Sequence, residues 1–132
     1  MRSVLADTGP LYALVDPEDR FHGRARDEAL RIAEQGWSLL VAFPTVLESH
    51  SLVLRRLGPI VSRRWLDEVT TGLGLLNPDR DDYLAATRRL RSFADQRITL
   101  FDALVAEIAD QLRIRVWTFD HHFDVMGAAV WR

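Results

Sequence analysis

Short apolar runs alternate with longer amphipathic stretches along this chain, and that alternation restricts it to few folds. Ser3–Ala6, Ser38–Ala42 (SLLVA), Leu73–Leu76 (LGLL, weakened by Gly74) and Arg115–Phe119 read as strands. Their cores are continuously apolar rather than alternating, which is the pattern of strands covered on both faces. Thr8-Gly9-Pro10 starts a short helix through Leu11–Val15, and Asp16-Pro17-Glu18-Asp19 breaks it. A stretch rich in Arg, Glu and Ala, from about 19 to 35, ends at Gly36. Pro44 opens a helix to about Leu57, Gly58-Pro59 interrupts it, and a further helix runs to about Thr71. Pro78 and the acids after it start a helix over Tyr83–Phe93, and Leu100, Leu104, Val105, Ile108 and Leu112 mark another. Ala128–Trp131 offers a fifth strand at an edge. The expectation is a three-layer α/β/α sandwich around a mostly parallel sheet of four to five strands. With 132 residues, one domain spanning 1–132 is expected.

Composition removes several chemistries. There is no cysteine, which excludes disulfides, thiolate zinc sites and Cys nucleophiles. All 17 basic residues are arginine. Without lysine there is no Walker-type phosphate loop, no Schiff base and no lysine general base. The net charge of −2 argues against attachment to nucleic acid by bulk positive charge, though not against a local basic surface. No run approaches the roughly 20 apolar residues of a membrane span. No signal peptide is evident, and the cytoplasm is the expected location.

In a parallel α/β sheet, ligands bind beyond the carboxyl ends of the strands. Four acids point to that edge. Asp7 closes the first strand in VLAD, and Asp120 follows the last in VWTFDHHFD. Glu48 lies one turn into the helix after the second strand, in PTVLES. Asp102 starts the Leu100 helix, in TLFDAL, and reaches the same edge only if the topology carries that helix start there. Each has an ordinary structural alternative. Asp7 suits a helix N-cap and Asp120 a turn. Thr45-x-x-Glu48 and Thr99-x-x-Asp102 have capping-box spacing. Taken together the four are more telling. Two carboxylates about 5 Å apart repel by roughly 3 kcal/mol at an effective dielectric near 20. A set of four therefore calls for protonation or a hard divalent cation, Mg2+ or Mn2+. Such a site suits metal-assisted phosphodiester hydrolysis without a protein nucleophile.

The segments VLADTGPLYALVD, PTVLES, TLFDALVAEIA and VWTFDHHFD, in that order, resemble PIN-domain nucleases, specifically VapC-type toxin ribonucleases. The resemblance implies that Asp7, Glu48, Asp102 and Asp120 form the catalytic quartet. Asp7 and Asp102 would be the primary magnesium ligands, Asp120 a ligand directly or through water, and Glu48 the residue that holds or orients a water. Thr8 and Thr118 would support the site by hydrogen bonds. It also implies cleavage of single-stranded RNA, often within a structured RNA such as a tRNA, a cognate antitoxin that blocks the cleft, and a homodimer. The rival expectation is a catalytically silent PIN-like module that binds RNA or protein. A phosphatase with an Asp nucleophile is disfavoured, because Gly9 stands where its second Asp belongs and lysine is missing.

Other features read as structural. Adjacent His121 and His122 are expected to point apart, which makes joint metal ligation awkward. Asp124 reads as a solvated acid, with a supporting role at the site as the alternative. His50 reads as a core-edge residue, and Asp16, Glu18 and Asp19 as loop and helix start. Arg55-Arg56, Arg63-Arg64 and Arg88-Arg89 with Arg91 could grip phosphates, since an arginine fork suits them. On helices, a solvated or acid-paired face is the plainer account. The four tryptophans are expected in the core or an interface.

Overall fold

The computed structural model describes residues 2–132; Met1, the first residue of the expected domain, lies outside the described residues. The strands β1 (Ser3–Ala6), β2 (Ser38–Ala42), β3 (Gly74–Leu76) and β4 (Arg115–Trp117) form one sheet in the order β3-β2-β1-β4, with every pair parallel. The central pairing sets Val4 opposite Leu39 on one side and Arg115 on the other. Val4, Leu5 and Ala6 are wholly buried, as strands covered on both faces require.

The pleat sorts these side chains into two cores. Val4, Ala6, Val41 and Trp117 pack with Tyr12, Ile32, Val53 and Trp65 from the helices α1 (Thr8–Val15), α2 (His22–Glu34) and α3 (Phe43–Gly72). Leu5, Ala42 and Val116 face the opposite way, toward α4 (Arg80–Arg91), α5 (Leu100–Leu112) and the short α6 (His122–Val125). This is the expected three-layer architecture. Behind Trp117, the buried Glu28 accepts the indole N–H at 3.1 Å and pairs with Arg24 at 3.0 Å, so its charge is not stranded in the core.

Local differences from the sequence reading have local causes. The Gly58-Pro59 break is present, but as a kink within α3: Gly58 adopts φ 87°, ψ 175°, where a side chain would be strained, and the helix resumes at once. Gly74, which weakened the third strand on paper, lies close to Leu40: a Cβ there would come 2.5 Å from Leu40 Cδ2, so a larger residue would require that side chain to move. The fifth strand is reduced to a single parallel bridge, Val116 to Val130, flanked by two backbone hydrogen bonds. β4 ends at Trp117 rather than Phe119, because the Thr118 hydroxyl takes the Asp120 N–H and turns the chain.

This topology sets the functional edge. α1 and α3 begin directly after β1 and β2. α5 precedes β4 and feeds its start through a left-handed turn at Arg113, φ 56°, where the Ile114 N–H returns to the Ala109 carbonyl. The other end of α5, with Asp102, therefore lies at the carboxyl ends of the strands.

Candidate active site

An open cleft of about 790 Å3 lies at that edge, and Asp7, Glu48, Asp102 and Asp120 all line it. The four segments that carry them are scattered along the sequence and meet only through the sheet.

Asp7 is the most constrained. Its N–H makes the last bond of β1 to β4, donating to the Trp117 carbonyl at 2.9 Å. Its backbone occupies the N-cap position of α1, yet its carboxylate makes no cap bond; Oδ2 instead accepts the Thr118 hydroxyl at 2.8 Å. The residue is 6% exposed. Burial is the main cause that pushes its pKa up to about 7. The bonds from Thr118 and the Thr8 backbone pull down, and the charges of Asp102 and Asp120 add to the rise.

Thr118 ties Asp7 to Asp120, since the same hydroxyl oxygen accepts the Asp120 N–H at 3.0 Å. Asp120 Oδ1 in turn accepts the His122 N–H at 2.9 Å, and His122 Nδ1 lies 3.0 Å from the same oxygen. The expected turn role of Asp120 is thus real, and it orients the carboxylate at the cleft.

Asp102 also combines both readings. Its carboxylate accepts the Thr99 N–H at 3.3 Å and its own N–H donates to Thr99 Oγ1 at 3.0 Å, a reciprocal cap. Partial burial raises its pKa above the usual carboxylate range, and the charge of Asp120 adds to this, against the Thr99 bonds and the pull of His122.

At Glu48 the capping-box alternative fails. α3 begins at Phe43 with Ala42 as its N-cap, so Thr45 falls inside the first turn, fully buried. Its hydroxyl has no partner among the described residues. Glu48 Oε2 instead accepts the Thr8 hydroxyl at 2.5 Å, and Ser49 Oγ donates to Thr8 at 3.4 Å. Thr8 thus hydrogen-bonds to Glu48, and Thr118 to Asp7 and to the Asp120 backbone.

The histidines differ from expectation. The rings of His121 and His122 lie 4.3 Å apart, because the turn into α6 folds both back beside Asp120. Among the described residues these three form the group whose ligand atoms fall within 4.8 Å of one another. Among the described residues, no three of the four acids bring ligand atoms within that distance of one another. Asp124 is neither free nor at the cleft: Arg132 holds both its oxygens, at 2.7 and 2.9 Å. His50 sits against Trp65, ring centroids 6.5 Å apart, as a core-edge residue should.

Sequence reasoning missed the rest of the cleft lining. Phe21 and Phe119 stack at 5.1 Å and form part of the wall. Arg55 and Arg56, for which a solvated or acid-paired face was the plainer account and phosphate contact the alternative, also line the cleft. Their distance from Glu48 along one helix, seven and eight residues, was the available signal.

No protein-family profile matches the chain, and no curated protein matches its sequence. Solved structures do match its fold. VapC20 of Mycobacterium tuberculosis, described as a sarcin-ricin loop cleaving toxin, superposes with a TM-score of 0.85 over 98% of both chains at 19% identity. A VapBC2 complex from Rickettsia felis, bound to a DNA fragment from its promoter, gives 0.78 at 11% identity, covering 98% of this chain and 97% of that one. VapBC-1 of nontypeable Haemophilus influenzae gives 0.72 at 17% identity, covering 98% and 96%. The architecture is therefore that of the PIN-domain proteins. Within that class, the arrangement of helices and strands is the one found in VapC toxins.

Proposed function

We propose that this protein is a magnesium-dependent endoribonuclease, the toxin of a toxin–antitoxin pair. One observation carries the reading. Five acids line one cleft at the carboxyl edge of the sheet, the four named above and Asp19, and burial, with the charges of Asp102 and Asp120 adding to it, pushes the most buried of them, Asp7, up to a pKa of about 7. Like charges gathered at one cleft cost stability unless a proton or a cation offsets them, which favours a metal site over a catalytically silent module.

The donor set fits a hard divalent ion, since it consists of carboxylate oxygens. Asp7 and Asp102 would hold it, and Asp120 directly or through water, with Mn2+ as a substitute for Mg2+. When bound, such an ion supplies Lewis acidity toward a phosphodiester and lowers the pKa of water. The chain's own part is to prepare the site. Thr118 fixes Asp7 and the Asp120 backbone together, His122 orients Asp120, and Thr99 orients Asp102. Glu48, fixed by Thr8, would orient the attacking water.

The partners proposed are single-stranded RNA, a cognate antitoxin and a second copy of the chain, acting in the cytoplasm. The VapBC neighbours support the antitoxin. Phe43, Leu47 and Leu54, exposed at 39%, 69% and 44% and spaced along one face of α3, support a protein-covered surface. No helix among the described residues is long and apolar enough to cross a membrane.

The test is cleavage of a fluorophore-labelled single-stranded RNA with Mg2+, with EDTA, and by Asp7→Asn. Activity is expected in the first case alone. Cleavage that persists in EDTA, or in Asp7→Asn, would overturn the mechanism.

A further inference from the structure

A cleft ringed by carboxylates repels the polyanion it is proposed to cut. A cation among the acids offsets this at the reacting phosphate, but the strand on either side still needs a grip. α3 presents one. Glu48, Ser51, Leu52, Arg55 and Arg56 all line the cleft, at spacings that place them on one helical face. The stripe runs from an acid to two arginines, and Arg55 stands seven residues, roughly 10 Å, along the axis from Glu48.

The two arginines are not equivalent. Arg56 is committed: its guanidinium lies over the Tyr12 ring, 5.1 Å from the centroid, beside Asp16, which accepts the Tyr12 hydroxyl at 2.5 Å. Arg55 has no hydrogen bond, ion pair or ring contact among the described residues, and it is exposed at the cleft wall. Other unpaired arginines, such as Arg63 and Arg88, lie outside the cleft lining. An unpaired guanidinium offers a planar fork of donors that matches phosphate oxygens.

We propose that Arg55 grips a backbone phosphate next to the one lying at the acids, and so sets where the strand lies along the cleft. This rests on the nuclease reading above. Arg55 is then a positioning residue: it holds the strand and takes no part at the reacting atoms.

The experiment measures binding of a labelled single-stranded RNA to Asp7→Asn and to Asp7→Asn with Arg55→Gln, from low to moderate salt. Wild-type cleavage with Mg2+ is followed in parallel. Arg55→Gln is expected to weaken binding roughly tenfold and to reduce the slope of log affinity on log salt by about 0.7, the value of one single-strand phosphate contact. In the otherwise wild-type enzyme it should raise KM and leave saturated kcat within about twofold. Arg55→Lys should keep the salt slope, and Arg88→Gln should change neither quantity. Equal affinity and equal slope with and without Arg55→Gln overturn the proposal, while wild-type cleavage keeps the nuclease reading standing. Wild-type protein that cuts no RNA sinks that reading instead, and the binding comparison still decides whether Arg55 contacts phosphate.

Discussion

The Thr118 hydroxyl donates to the Asp7 carboxylate at 2.8 Å, joining residues 111 positions apart in a buried pair. Its oxygen also receives the Asp120 N–H, so one side chain fixes two of the four acids. Thr118→Val keeps the shape and removes both bonds. The loss should cost about 1–3 kcal/mol, because buried partners are left unsatisfied. Thr118 also holds the Asp7 pKa down, so its removal should drive that value further up. The pH–activity profile should then shift toward alkaline pH along with the fall in denaturation midpoint. An unshifted profile would make Thr118 a packing residue only.

The charge state of Asp7 should be visible in stability. In the unfolded chain an Asp titrates near 3.9, and in the folded, metal-free protein Asp7 titrates at about 7. Between these values the folded state binds more protons than the unfolded state, so stability falls as pH rises. The contribution is complete below about pH 4 and lost through pH 7, on the order of 4 kcal/mol for a shift of some three units. With EDTA present, the melting temperature of the wild type should drop relative to that of Asp7→Asn between pH 5 and 8. Parallel curves would show that Asp7 is ordinary.

Asp102 separates capping from function. Asp102 is the third helical residue of the box, where the amide oxygen of Asn can still accept the Thr99 N–H, so Asp102→Asn should lose no more than about 1 kcal/mol of stability. If Asp102 also holds the cation, the same variant should lose at least about 100-fold in RNA cleavage, as expected when a charge-stabilising group is removed. Full activity would confine Asp102 to the cap seen with Thr99.

Much of this was legible in the sequence, for physical reasons that differ from residue to residue. The buried strands announced themselves because Val4, Leu5 and Ala6 must be apolar on both faces. The Thr99–Asp102 box was legible because a cap is local. What failed depended on where a helix begins or on distant partners. The capping box assigned to Thr45 and Glu48 collapses because α3 starts at Phe43, ahead of Pro44, and the two side chains then find separate surroundings. Asp7 looked like a cap because its backbone is one, while its carboxylate answers to Thr118. The fifth strand was lost because its stretch makes only one bridge to Val116. Spacing alone could place Arg55 on the face of Glu48, but only the fold shows that this face looks into the cleft.

Thr45 offers a test of that helix start. It is fully buried in the first turn of α3, and its hydroxyl has no partner among the described residues. Burying an unpaired hydroxyl costs roughly 1–3 kcal/mol by mutational measures. Valine fills nearly the same space and has nothing to satisfy, and both residues are β-branched, so their helix propensities differ little. Thr45→Val should therefore stabilise the protein by about 1 kcal/mol, raising the melting temperature by a few degrees and leaving RNA cleavage unchanged. If Thr45 instead capped the helix and met Glu48 across the box, the same substitution would destabilise by about 1 kcal/mol. The sign of one melting-temperature difference thus decides between a helix that starts at Phe43 and one that starts just after Thr45.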